Sequence, residues 1–164
     1  VAIAFAGMLG LSRSFILERD RGVMDGLLLA PVDRSAIYFG KMLGNLAFML
    51  MVEAIVLPVY SFLYGINLFD PGFLAVVILG SIGYVSVGTL LAAMAVQART
   101  RDILLPILLF PVMIPLLLAV VRASNAFLQG LGSFEILPWL RILLATDLIY
   151  LAVAFMVFDF VVEE

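Results

Sequence analysis

No charged residue occurs between Phe73 and Ala98. Wound as an α-helix at ~1.5 Å per residue, that run reaches roughly 39 Å, longer than a bilayer hydrocarbon core of about 30 Å. Such a segment must tilt or protrude. Composition extends the point to the whole chain. Of its 164 residues, 65% are hydrophobic and only 13% are charged, with a mean hydropathy of +1.25. A soluble domain is about 45–50% apolar and about 25% charged. Too few charges remain here for a polar skin, so the expected fold is an all-α, polytopic transmembrane helical bundle.

The charged residues divide this bundle into spans. Residues 1–12 are apolar but too short to cross a bilayer. They begin without Met, and are expected to be the end of a truncated span. Residues 13–41 are the most charged stretch and form a connecting segment. Spans are expected at 42–64, 73–98, 103–121 and 142–162. Between the first two, Asp70 is expected to cap a helix whose first residue is Pro71. Pro106, Pro111 and Pro115 should kink or locally unwind the third span. Residues 122–141 mix Arg122, Glu135, Trp139, Gly130, Gly132 and Pro138, and are expected to form an interfacial or re-entrant helix pair.

Positive charge sets orientation. With residues 13–41 in the cytoplasm, Arg13, Arg19, Arg21, Arg34, Lys41, Arg99 and Arg101 lie inside, and Arg122 and Arg141 lie outside. That bias places the C-terminus in the cytoplasm and residues 122–141 on the outer side.

The chain has neither Cys nor His. Cys/His zinc sites, thiolate nucleophiles, disulfides and Ser-His-Asp catalysis are therefore excluded. Haem ligation by His or Cys is excluded as well; Met and Tyr remain as conceivable ligands. No metal site is expected. No Walker A motif, Gly-rich phosphate loop or paired-carboxylate motif occurs, so no catalytic residue is assigned and the chain should not hydrolyse ATP. Net charge is −3 and the pI is near 4.8, which gives no reason to expect a nucleic-acid partner.

Within 13–41, the run Glu18-Arg19-Asp20-Arg21-Gly22-Val23-Met24-Asp25-Gly26-Leu27-Leu28-Leu29-Ala30-Pro31 joins charges to a leucine patch. Pro31 should end that helix near Ala30. Asp33 or Ser35 should cap the next one, before Arg34 and Ala36. Exposed leucines between two spans fit either a surface for a soluble partner or an amphipathic connector lying on lipid headgroups.

The same run, continued by Asp33-Arg34-Ser35-Ala36-Ile37 and Gly40-Lys41, resembles the CcmB family, the haem-exporter permeases of the ABC-2 type. The resemblance extends through Val52-Glu53 to Pro58, through Gly88-Thr89-Leu90, and from Arg99 through Pro106 to Pro115. It implies an inner-membrane permease subunit that works with a cytoplasmic CcmA-like ATPase and CcmC-like and CcmD-like membrane proteins. The complex would serve cytochrome c maturation, with haem as the possible transported substrate and ATP bound by the partner. No cofactor of the chain's own is implied. A second copy of the chain is expected, since ABC exporters need two permease halves. Residues 18–31 would be the coupling helix. The assigned ATPase-coupling residues are Glu18, Arg19, Asp20, Gly22, Asp25, Leu27, Leu28, Pro31, Asp33 and Arg34. Asp25 departs from the Glu often found in related permeases, which shortens the reach but keeps the charge. The alternative is a general ABC-2 permease exporting a drug, lipid or polysaccharide.

Other polar groups lie inside the spans. Helical spacing puts Asn45, Glu53 and Tyr60 near one face. Glu53 sits well inside the bilayer, where a carboxylate costs several kcal/mol unless protonated or paired. It is either a satisfied interhelical hydrogen bond or a conformational lock or substrate contact. Asp147, nearer the outer interface, is expected to be solvated or capped. Gly40 and Gly44 form one small-residue pair, and Ser81, Gly88 and Ala92 share a face; both are expected to pack helices closely. The basic pair in Arg99-Thr100-Arg101-Asp102 obeys the positive-inside rule or makes a minor ATPase contact.

Overall fold

The computed structural model of the chain describes residues 3–10, 13, 26, 29, 31, 33–97 and 101–163. At 34, 95–97, 101–106 and 158–163 the backbone alone is described. Residues 3–10 are helical. Four long helices follow: α1 (Arg34–Tyr64), α2 (Pro71–Gln97), α3 (Arg101–Leu128) and α4 (Ser133–Glu163). Each is long and apolar enough to cross a membrane. The chain is a multi-pass, all-α membrane protein.

The connections follow local rules. Asp70 caps α2: its Oδ1 accepts the backbone N–H groups of Gly72 at 2.9 Å and Phe73 at 3.2 Å. Pro71 is the first helical residue, where its missing N–H costs nothing. α1 ends at Gly65, whose φ of +64° is the left-handed conformation that glycine adopts without a Cβ penalty. At the start of α1, Asp33 holds the N-cap position, but its side chain makes no capping bond. Its carbonyl accepts the Ala36 and Ile37 amides instead.

Two expectations change. The separate helix pair at 122–141 is instead the end of α3, a short turn at 129–132 and the start of α4. Gly130 turns the chain at φ +64°. The Leu131 amide reaches back to the Ala126 carbonyl and the Gly130 amide to that of Phe127, closing the helix end. The polar residues do not interrupt the helices because they sit at the ends and pair there. Arg122 lies 6.0 Å from the Trp139 ring centroid, a cation–π distance, and Gln129 donates to Asn125. Of the kink or local unwinding expected in the third span, unwinding does not occur: the chain stays helical through its prolines. The Tyr150 hydroxyl from α4 donates to the Val112 carbonyl, in the turn before Pro115.

α2 is the hub, packing against α1, α3 and α4. Of its most apolar stretch, 61% is buried, against 11% for α1. The core gathers around Val76, Tyr84, Val85, Leu90, Met113, Leu116 and Leu143. The N-terminal segment also leans on α2, with the Tyr84 hydroxyl donating to the Ala4 carbonyl. The outer faces expose large apolar side chains such as Met51, Ile55, Leu148 and Met156. Water would not tolerate that surface, and lipid does.

Candidate functional site

α2 carries small polar residues on the side turned to α1. The Ser81 hydroxyl donates to Glu53 Oε1. Two turns further along, Asn45 Nδ2 donates to Thr89 Oγ1 at 3.1 Å. Glu53 is 4% exposed and Ser81 2%. The Ser81 hydroxyl also lies 2.9 Å from the Val77 carbonyl, so its single proton serves two acceptors. Between these rungs, the Tyr38 hydroxyl of α1 donates to the Ser86 carbonyl at 2.8 Å, and Ser86 itself bonds back to Gly83. A polar ladder thus joins α1 to α2 in an otherwise apolar bundle, where each bond replaces one that lipid cannot offer.

The side of α2 turned to α3 and α4 is built from glycine. A Cβ at Gly80 would stand 2.6 Å from Val120 Cγ2 of α3. One at Gly83 would meet the Asp147 carboxylate of α4 and stand 2.9 Å from Leu116 Cδ1. At Gly72 it would run into the Phe127 ring. These glycines let three helices approach closely. Asp147 is 5% exposed, and neither carboxylate oxygen has a hydrogen-bond partner among the described residues. The expectation of a solvated or capped Asp147 is corrected: four helical turns of α4 precede it, which carries it into the packed interior.

The residues singled out from sequence are therefore only partly brought together. Asn45 and Glu53 both face α2. Tyr60 does not join them; it is 45% exposed and stacks on Tyr64 at 5.4 Å. Ser81, Gly88 and Ala92 are buried. Gly40 and Gly44 are exposed, with nothing within 4 Å of where a Cβ would stand among the described residues, so they pack against none of these. Thr89, Gly72, Gly80, Gly83 and the burial of Asp147 were missed as site features. The spacing of Gly72, Gly80 and Gly83 along one face was the available signal.

Of the coupling residues, Glu18, Arg19, Asp20, Gly22, Asp25, Leu27 and Leu28 lie outside the described residues, as does the side chain of Arg34. Arg99 and Thr100 do too. Pro31 and Asp33 are exposed. Leu29 is 87% exposed, and among the described residues nothing lies within 4 Å of a notional Cβ at Gly26. Among the described residues, no three His, Cys, Asp or Glu side chains gather as a metal site.

The model of the family described as CcmB protein matches residues 1–163. The chain belongs to the CcmB family. It is 29% identical over 149 residues to heme exporter protein B of Pseudomonas aeruginosa, a match covering 90% of this chain and 67% of that protein. No solved structure matches the chain.

Proposed function

We propose that the chain is the membrane permease subunit of a haem-exporting ABC transporter acting in cytochrome c maturation. The family match along residues 1–163, with a relative named heme exporter protein B, is the observation that carries this reading. Haem is then cargo, and the chain binds no cofactor of its own. ATP belongs to a CcmA-like ATPase, so the chain is a transporter subunit and not itself an enzyme. CcmC-like and CcmD-like membrane proteins and a second copy of the chain complete the complex in the bacterial inner membrane. The C-terminus lies in the cytoplasm.

Mechanically, residues 18–31 dock on the ATPase, and the exposed Leu29 suits a surface left free for it. Closure of the ATPase pulls on this segment, which leads directly into α1. The ladder of Asn45–Thr89 and Glu53–Ser81 passes that movement to α2, and the packing of α2 passes it to α3 and α4. Asp25→Lys combined with Leu28→Ala should abolish co-purification with the ATPase and stop holocytochrome c formation. Unchanged recovery of the ATPase would refute the docking role.

A further inference from the structure

Asp147 is a buried titratable group that the docking and the polar ladder do not use. It sits on the inner stripe of α4 with Leu143, Tyr150 and Ala154, at the spacing of a core-facing helix side. Both carboxylate oxygens are sealed in, with no hydrogen-bond partner among the described residues. Gly83 is pressed so close to Oδ1 that a methyl group does not fit between them, and Leu116 of α3 closes the same space. No room is left there for a water or a metal ion. The hydroxyls around the joint are committed elsewhere. Ser86 donates to the Gly83 carbonyl and Thr146 to the Ile142 carbonyl, both at 2.8 Å, and Tyr150 donates to the Val112 carbonyl. Tyr38 and Tyr84 donate to the Ser86 and Ala4 carbonyls. Among the described residues, no charge of a packed element faces the acid. α2 has no charged residue, nor has α3 from Ile107 to Val121, nor has the 3–10 segment. On α1, Glu53 takes its proton donor from Ser81, and Arg34 and Lys41 lie near the start of that helix. Arg122 lies over Trp139 near the far end of α3. On α4 itself, Glu135 and Arg141 are exposed, and Asp159 and Glu163 come near its end.

An unpaired charge in such a place costs far more than the neutral acid does, and the proton is the one cation small enough for the space. We propose that Asp147 is a proton-binding site: it holds a proton while α2, α3 and α4 are packed together, and yields it to water when α4 draws away from Gly83. In that step the O–H bond breaks, water takes the proton, and the carboxylate keeps the electron pair; nothing is oxidised or reduced. Proton binding thereby holds the joint closed, and any movement that opens the joint releases one proton per chain. The inference goes beyond the export reading and does not depend on the cargo. The test uses the full-length protein in lipid nanodiscs, as wild type, Asp147→Asn and Gly83→Ala. The Asn amide has the shape of the neutral acid, so that variant should fold. At about pH 6, where an ordinary carboxyl group is ionised, the infrared spectrum of wild type minus that of Asp147→Asn should hold the carbonyl band of a protonated acid and no carboxylate bands. Stability gives a second readout. The packed form holds a proton that the unfolded chain gives up above about pH 4. Wild type should therefore lose stability relative to Asp147→Asn as pH rises, by up to about tenfold in the folded-to-unfolded ratio per pH unit. Glu53 is common to both proteins and cancels in this comparison. Gly83→Ala pushes α4 away, and its acid band should give way to carboxylate at a lower pH than in wild type. Carboxylate bands in the pH 6 difference spectrum overturn the proposal, as does a stability difference that does not change with pH. An acid band that titrates at the wild-type pH in folded Gly83→Ala refutes the tie to the joint. The first two readouts decide the matter if that variant does not fold.

Discussion

Glu53 and Asp147 are both carboxylates enclosed by membrane helices, yet their surroundings differ. Glu53 has a donor in Ser81, whereas Asp147 is pressed against Gly83 with neither oxygen bonded among the described residues. Removing the Glu53 donor should therefore matter. Ser81→Ala strands a buried acceptor and should cost about 1–3 kcal/mol, read as a lower melting temperature in detergent. Glu53→Gln keeps an acceptor oxygen for Ser81 and should cost less; equal losses would contradict the bond. The glycines allow a second comparison. Gly83→Val drives a side chain into Asp147 and Leu116, and should cost about 1–3 kcal/mol or more by overpacking. Gly40→Val meets nothing and should leave the melting temperature of the single chain unchanged. At this scale the sequence identified Glu53 and Asn45 as membrane-embedded polar groups, because a polar side chain in an apolar run is visible without coordinates. It did not identify which glycines pack. Gly40 and Gly44 have the four-residue spacing of a packing pair and Gly80 and Gly83, three apart, do not; spacing does not say which face meets a neighbour.

Among the elements, α2 differs most from its companions. It has no charged residue, and its uncharged run reflects burial: 61% of its most apolar stretch is covered by protein. The other helices also read as apolar, but for a different reason: their outer faces meet lipid. Hydropathy does not separate these two solvents, since lipid tails are as apolar as a protein core. The ends of the elements were more legible. Asp70 and Pro71 mark the start of α2 through chemistry confined to a few adjacent residues. Asp70→Ala should cost about 1 kcal/mol, seen as faster amide exchange at Gly72 and Phe73 with the rest of α2 unaffected. Residues 122–141 were less legible. Arg122 suggested a break, but its guanidinium lies over Trp139 across the turn, and a contact between two helices is not written in either one. Trp139→Ala should loosen the α3–α4 turn, raising exchange at 129–132 while α1 is unchanged.

For the whole molecule, the antiparallel path puts the connection at 66–70 and the turn at 129–132 on one side of the bundle, and Asp33 on the other. The natural absence of cysteine makes this easy to check. Asn67→Cys and Gly132→Cys should react with an impermeant thiol reagent from the same side of an intact membrane, and Asp33→Cys only from the opposite side. Under the proposed orientation, the first two react from the periplasm. Labelling of Asn67→Cys and Gly132→Cys from different faces would contradict the topology. By itself the sequence determined that the chain is a helical membrane protein, roughly where it crosses, and which chemistries it lacks. Each of these depends on the solvent a segment can tolerate or on a residue type being present, and both are properties of the chain itself. Tertiary structure alone decided that α2 is the hub, that Asp147 is enclosed with no hydrogen-bond partner among the described residues, and that Tyr60 leaves the Asn45–Glu53 face to stack on Tyr64. Those facts depend on which helix faces meet. Helices of similar hydropathy in lipid choose their neighbours by close packing and a few polar bonds, and neither exists until the helices are side by side.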